Sequence, residues 1–128
     1  MTGPSSVDQL LDDIAAGAIQ PGVFCDDIVF DATVPNWRYT LRGPEAVASE
    51  LAQWYADPGH FEDLRRTPLP DGELIEFTLH WVEDGVPHAC HQAHVVELRD
   101  GRIAKDTAWC GGRWPAGLLA QMRETTQT

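Results

Sequence analysis

The side chains that could carry out acid–base chemistry lie in a run of alternating residues between Glu73 and Cys110. His94 is the first candidate, because an imidazole titrates near neutral pH and can accept or donate a proton. Gln92 lies two residues earlier, so in a strand both side chains occupy one face. Polar groups on an otherwise apolar face need partners or a wet cavity. The spacing therefore predicts a pocket in which His94 is an acid/base and Gln92 a hydrogen-bond donor. The alternative is a neutral His94 in the cavity wall that does no chemistry.

Two Asp-Gly pairs, at 84–85 and 100–101, predict the hairpins that position these side chains. Each pair is flanked by alternating residues, and a tight hairpin needs residues that tolerate positive φ. A two-residue turn at 84–85 pairs Trp81 with His88. This register predicts one inward face that binds the ligand, with apolar and polar members: Phe77, Leu79, Trp81, His88, Gln92 and His94.

The orientation of Asp106 depends on the second hairpin. Strict pairing across its Asp-Gly turn faces Lys105 inward, whereas a bulge after Ile103 would face Asp106 inward instead. A buried lysine is costly to ionise, which favours the bulge. An inward Asp106 beside His94 would form an acid/base dyad. Otherwise Asp106 is a structural salt-bridge partner or a solvated carboxylate.

Metal binding is disfavoured by the spacing of the donors. His88, Cys90 and His94 spread over about 20 Å along one strand, at roughly 3.3 Å per residue, whereas a metal needs donors that converge within about 2.0–2.3 Å. We predict no metal and no other cofactor.

Cys90 and Cys110 are expected to be buried, inert thiols. A nucleophilic Cys110 would require His94 and a lowered pKa.

Composition limits the class of protein. A chain of 128 residues predicts a single domain, residues 1–128. Its net charge of -11 excludes an electrostatic nucleic-acid footprint and disfavours an anionic membrane surface. It contains no run of about 18 apolar residues and no basic-then-apolar leader. Three unpatterned cysteines fit a reducing compartment, so a cytoplasmic location is expected.

The remaining elements follow from periodicity. After a flexible lead at 1–6, residues 7–18 predict a helix with Ser6 as a possible N-cap. A strand is predicted at 28–34, a second helix opens at 43–45, and another strand covers 61–67 before the meander. A short helix from Ala116 belongs to the tail at 115–128. Trp37 and Tyr39, beside a Pro-Asn break, are predicted to lie at the pocket rim. Helices followed by an antiparallel meander indicate an α+β fold.

Three segments resemble the nuclear-transport-factor-2-like (NTF2-like) superfamily, and within it the SnoaL-like polyketide cyclases and ketosteroid isomerases. They are residues 24–30 (FCDDIVF), 41–47 (LRGPEAV) and 95–103 (VVELRDGRI), and the resemblance covers roughly residues 7–110. It implies a cone, also described as a cystatin-like α+β barrel, in which a curved mixed or antiparallel sheet wraps N-terminal helices around a deep pocket. It also implies a dimer through the outer sheet face.

The resemblance assigns roles to two residues. His94 matches the strand position of the oxyanion-binding acid of ketosteroid isomerases, and of a catalytic histidine in scytalone dehydratases. Asp106 falls where SnoaL-like cyclases hold an acid/base residue, which favours the bulge. The isomerase general base would fall at Asp31, Ala32 or Asn36, and leucine replaces the first-helix tyrosine.

The function implied is cofactor-independent proton transfer on a small, apolar, carbonyl-bearing molecule, by a cyclase, isomerase or dehydratase. The alternative is a non-catalytic ligand-binding or dimeric assembly domain of the same fold. A homodimer is predicted through outer-face residues that are small or apolar and rarely charged: Thr78, His80, Val82, His91, Ala93 and Val95.

Overall fold

The computed structural model describes residues 5–126 as three α-helices and a seven-stranded mixed sheet. In chain order the elements are α1 (Ser6–Ala16), a 3-10 turn (Pro21–Val23), β1 (Phe24–Val34), β2 (Trp37–Arg42), α2 (Pro44–Trp54), β3 (Gly59–Leu69), β4 (Gly72–Glu83), β5 (Val86–Arg99), β6 (Arg102–Cys110), β7 (Trp114–Pro115) and α3 (Ala116–Thr126).

The first helix begins one residue earlier than the sequence predicts, because Ser5 and not Ser6 is its N-cap. The Ser5 hydroxyl accepts the Asp8 N–H at 3.1 Å, and the Asp8 carboxylate accepts the Ser5 N–H at 3.0 Å, which completes a capping box. Gly17, at φ 69°, adopts the left-handed conformation and ends the helix at Ala16, not at residue 18. Within the predicted lead, residues 1–4 lie outside the described part of the chain.

The strand order is β2-β1-β6-β5-β4-β3, and β7 pairs with β5. Only the contact of β1 with β6 is parallel among the pairings of residues 5–126. The predicted α+β class with a mixed sheet is therefore confirmed. The expected barrel closure is not, because β2 and β3 end the strand order as the two edges of an open sheet.

The first Asp-Gly hairpin has the predicted register. Glu83 pairs with Val86 and Trp81 with His88. Asp84 and Gly85 both have positive φ, at 52° and 76°, as a tight two-residue turn requires.

The second hairpin contains the bulge that was predicted after Ile103. Ile103 pairs with Leu98, but Lys105 pairs with Glu97, so Ala104 is an extra residue in β6. The side chains from Lys105 onward therefore lie on the opposite face from the one that strict pairing would give. Asp106 is 0% exposed, whereas Lys105 is exposed.

The core lies between the sheet and the helices α1 and α2, whose apolar faces are buried against β1, β4, β5 and β6. Pro44 begins α2 in the first-turn position that proline tolerates, and Val47 and Leu51 face the core. Tyr55, at the C-cap of α2, is also buried. No helix within residues 5–126 is both long and apolar enough to cross a membrane.

Candidate functional site

Asp106 and His94 form a buried pair at the centre of the sheet. The Nδ1 atom of His94 lies 2.9 and 3.1 Å from the two carboxylate oxygens of Asp106. The His94 side chain is 2% exposed and the Asp106 side chain is 0% exposed. An N–H at Nδ1 therefore donates to Asp106, and Nε2 is left to face the other way. The contact predicted from the sequence is present, and its catalytic role stays a prediction.

On the other side of the imidazole lie Tyr55 and Gln92. The Nε2 atom of His94 is 3.2 Å from the Tyr55 hydroxyl and 3.2 Å from Oε1 of Gln92. Tyr55 also donates a short hydrogen bond to Oε1 of Gln92. Burial raises the pKa of Tyr55 well above its ordinary value, so its phenol remains a donor. Tyr55 thus fixes the amide through its single O–H, and its oxygen lies against the imidazole.

The amide of Gln92 connects this buried pair to a cavity. Its Nε2 group donates to Sγ of Cys110 at 3.3 Å. Both Gln92 and Cys110 line a cavity of about 350 Å³, a volume typical of small-molecule sites. The wall is largely apolar, and its members come from β1, α2, β4, β5 and the end of β6: Val34, Pro35, Gln53, Trp54, Trp81, Cys90, Gln92, Cys110, Gly112 and Arg113.

The two thiols in this wall differ in acidity. The largest influence on Cys110 is a hydrogen bond from Cys90, which lowers the pKa of the Cys110 thiol. The Gly112 backbone and the Gln92 amide also lower this pKa, whereas burial raises it. Donating that hydrogen bond, together with burial, raises the pKa of Cys90. Cys110 is also the thiol that accepts the Gln92 N–H, and it is the more exposed of the two.

Arg113 lies at the solvent side of the cavity, with its side chain 49% exposed. Its guanidinium carbon is 5.2 Å from the centre of the Trp81 ring, a cation–π arrangement. Glu83 forms an ion pair with the same guanidinium. The Trp81 indole N–H is also 3.2 Å from Glu83 and, with Arg113, lowers the pKa of that carboxyl. Arg113 therefore lies at the mouth of the cavity.

Three of the predicted inward side chains do not line the cavity. His94, Phe77 and Leu79 are inward and no more than 2% exposed, but they are absent from the cavity wall. The reason is α2, whose Tyr55 covers His94, while the Phe77 ring stacks on the imidazole at 5.8 Å. The predicted pocket therefore lies further towards β6, and only Trp81 and Gln92 of the predicted lining contact it.

The other predicted ligand-binding residues lie elsewhere. Trp37 is 69% exposed, because it follows the two-residue turn of the β1–β2 hairpin directly. The Tyr39 phenol accepts the Trp54 indole N–H at 3.0 Å and donates to Glu50, which joins β2 to α2. His88 stacks on Trp81 at 5.6 Å and lines a more open groove of about 580 Å³.

Sequence reasoning missed Tyr55 and Trp54 as site residues, and assigned Cys110 to inert thiols. Tyr55 has the helical spacing of Val47 and Leu51, which by itself indicates a core residue, and it is buried. Its partner Gln92 is 37 residues away in sequence, so no local pattern could indicate the contact. Within residues 5–126, no group of three or more His, Cys, Asp or Glu side chains could hold a metal ion.

No protein-family model matches this chain, and neither does any curated protein. Solved structures do match. An NTF2-like protein from Anabaena variabilis is 17% identical with a TM-score of 0.70, over 88% of this chain and 95% of that one. A protein with a ketosteroid-isomerase-like fold from Catenulispora acidiphila, in complex with trimethylamine, is 19% identical with a TM-score of 0.63, over 94% and 93%.

An epoxide hydrolase of the LEH-like type from M. tuberculosis is 17% identical with a TM-score of 0.63, over 82% of this chain and 79% of that one. At these identities the likeness shows the fold alone. The predicted NTF2-like α+β fold is thereby confirmed. Fold does not determine function, so the activity must be argued from the site.

Proposed function

We propose that this protein binds a small, uncharged, largely apolar molecule that carries a carbonyl group. The observation that supports this most directly is the Gln92 amide, held by the Tyr55 hydroxyl beside His94 at the inner end of an apolar cavity of about 350 Å³. A few fixed polar groups in an apolar cavity are typical of a small-molecule site.

The orientation of the amide favours a carbonyl ligand. Because Oε1 of Gln92 accepts from Tyr55, its –NH₂ group faces Cys110 and the cavity. A carbonyl oxygen can accept one of these two N–H bonds. An anionic ligand is disfavoured, since the guanidinium of Arg113 in the wall is already paired with Glu83.

Binding of cyclohexanone, measured by NMR, tests this proposal. The indole N–H signals of Trp54 and Trp81 should shift on titration, and Gln92→Leu should weaken binding by roughly two- to tenfold, as expected for one hydrogen bond. Gln121→Leu, at an exposed position of α3, is the matched control and should bind as the wild type does. Equal affinities of the wild type and the Gln92 variant would refute the role of the amide. Native mass spectrometry of the purified protein would identify a ligand that co-purifies.

Proton-transfer catalysis is the second candidate, and the His94–Asp106 contact favours it. A carboxylate at Nδ1 keeps Nε2 as the proton-exchanging atom, as in a catalytic dyad. Gln92 lies between Nε2 and the cavity. Movement of the Gln92 side chain, and of the Tyr55 hydroxyl that also covers the imidazole, would let Nε2 exchange a proton with the carbon next to a bound carbonyl. This is the step shared by isomerases, cyclases and dehydratases of the SnoaL-like kind.

Deuterium uptake by cyclohexanone in heavy water tests this second candidate. The wild type should accelerate exchange of the protons next to the carbonyl, and His94→Gln should abolish the acceleration. His91→Gln, on the exposed face of the same strand, should leave it unchanged. Exchange that persists in the His94 variant would exclude this histidine as the acid/base.

Assembly is the remaining part of the proposal. The outer face of the sheet carries two large apolar side chains, Val82 of β4 at 59% and Trp109 of β6 at 45% exposure. Ala93 and Val95 of the intervening strand β5 are half-buried. We expect an isologous homodimer through this face. Sedimentation at micromolar concentration should show a dimer, and Val95→Glu should give a monomer because two like charges would meet. A wild-type monomer would refute the dimer.

Two further expectations complete the proposal. The chain forms a single domain, and its location is cytoplasmic, which the three free cysteines favour.

A further inference from the structure

We propose that Cys110 is a nucleophile of the cavity and forms a covalent bond with the electrophilic carbon of an α,β-unsaturated carbonyl compound. This inference rests on the proposed function, because the same cavity would bind the compound. It narrows the ligand class from carbonyl compounds in general to conjugated ones.

The position of Cys110 is the first argument. It is the last residue of β6, and the bulge at Ala104 turns its side chain inward. It is half-buried and lines the cavity together with Gln92, which lies directly opposite on β5. A reactive cysteine must be accessible to its electrophile, and this thiol is the more exposed of the two in the cavity wall.

The second argument is the set of donors around the sulfur. Gln92 donates to Sγ at 3.3 Å, and Cys90 contributes a hydrogen bond that is the largest influence on its acidity. The ionisable groups that face this sulfur from neighbouring elements do not oppose a thiolate. Tyr39 and Tyr55 remain neutral, because burial raises the pKa of both phenols. The neighbouring His94 lowers the pKa of Cys110, and Arg113 is a cation at the mouth of the cavity.

Cys25 gives the contrasting environment within the same chain. Its sulfur lies 3.5 Å from the carbonyl oxygen of Arg99 and 3.6 Å from that of Arg102, so both partners accept a hydrogen bond from the thiol. Acceptors stabilise the protonated form, whereas donors stabilise the thiolate. Cys110 has one carbonyl acceptor, that of Gly112 at 3.9 Å, and in addition the Gln92 donor at 3.3 Å. Cys25 is buried and does not line the cavity.

The reaction balances without an oxidant or a cofactor. The Cys110 thiolate, whose proton has gone to solvent, attacks the carbon at the far end of the conjugated double bond and forms a carbon–sulfur bond. The π electrons move towards the carbonyl and give an enolate, whose oxygen accepts a hydrogen bond from the Gln92 amide. The carbon next to the carbonyl then takes a proton from water. The net result is addition of one S–H across the C=C bond.

Intact-protein mass spectrometry with cyclohexenone, the conjugated partner of cyclohexanone, tests the proposal. The wild type should gain the mass of one enone, and peptide mapping should place it on Cys110. Cys110→Ser should gain none, while Cys25→Ser, the matched control, should react as the wild type does. The pH dependence of iodoacetamide alkylation should have a midpoint below the value of about 8.5 for free cysteine. Cys90→Ala and Gln92→Leu should both raise this midpoint.

Two results would overturn the inference: an adduct on Cys25 or Cys90 instead of Cys110, or no adduct in a wild type that still binds cyclohexanone. The second result would leave the proposed binding function intact, because cyclohexanone cannot be attacked in this way. If cyclohexanone does not bind either, the proposed function itself fails. Cyclohexanone binding by Cys110→Ser shows in the same experiment that this variant is folded.

Discussion

The His94–Asp106 pair makes a specific prediction about stability: His94→Leu should destabilise the fold more than the double change His94→Leu/Asp106→Asn does. The Asp106 carboxylate is 0% exposed, and His94 is its one hydrogen-bond partner within the part of the chain that the structure describes. Leucine fills the space of the imidazole but offers the carboxylate no donor. The single change therefore leaves a buried charge uncompensated.

The magnitudes separate the variants. Breaking a buried pair and leaving its charge uncompensated costs about 3–5 kcal/mol. Asp106→Asn alone keeps an acceptor oxygen for Nδ1–H of His94 and loses the charge-assisted part of the bond, about 1 kcal/mol. In the double variant a neutral amide lacks its partner, which costs about 1–3 kcal/mol. The second substitution should therefore restore about 2 kcal/mol of the free energy of unfolding.

Urea unfolding followed by tryptophan fluorescence near neutral pH measures these differences, with equal m-values as the check on two-state behaviour. Asp31→Asn is the matched control. It removes the same charge from a carboxylate whose partner Arg38 is 70% exposed, and it should cost no more than about 1 kcal/mol. If the double variant is less stable than His94→Leu alone, the buried charge is not the cause of the loss and the reasoning is wrong.

Three further predictions concern tyrosines and glycines. Tyr55→Phe should lower the free energy of unfolding by about 1–2 kcal/mol in urea titration, because the buried amide oxygen of Gln92 loses its donor; an unchanged midpoint would contradict this. Burial raises the pKa of Tyr39 to about 12 and that of Tyr55 well above its ordinary value, whereas unfolded tyrosines ionise at about 10. The folded state therefore holds its phenolic protons longer, so stability should fall as the pH rises above about 10, and phenolate absorbance at that pH before unfolding would refute it. Gly72→Ala should cost about 1–3 kcal/mol or more, because its Cβ would lie 1.8 Å from the carbonyl oxygen of Val96, whereas Gly22→Ala, with open space around it, should be neutral or slightly stabilising in thermal unfolding.

Much of the sheet could be predicted because its register depends on local signals. The Asp-Gly turn at 84–85 fixed the pairing of Trp81 with His88, and the cost of burying Lys105 favoured the bulge that turns Asp106 inward. The cap of α1 was displaced by one residue, since Ser5 and Ser6 are both good caps and only the position of Asp8 selects the first.

The position of the cavity could not be predicted in the same way. Alternation shows which side chains are inward, but inward residues divide between the core and the cavity according to where a helix covers the sheet. Here α2 brings Tyr55 over His94 and leaves Gln92 and Cys110 open. Trp37 was misplaced for a related reason, because a rim position requires knowledge of how far the β1–β2 hairpin projects beyond the helices.

The bulge at Ala104 decides which side chains in the rest of β6 face the interior. If Ala104 were kept but β6 paired with β5 without the bulge, every side chain from Lys105 onward would lie on the opposite face, so Asp106 and Cys110 would face solvent and Lys105 and Trp109 the interior. No side chain would have changed, yet the cavity would lose its thiol and His94 its carboxylate. Deletion of Ala104 together with the bulge would keep these faces, because Ile103 and Lys105 would then be consecutive opposite Leu98 and Glu97. Loss of the bulge with Ala104 retained would abolish the site. A new activity in such a fold can therefore arise without substitution in the site. Gain or loss of a single bulge exchanges the inward-facing side chains of a strand for its outward-facing ones.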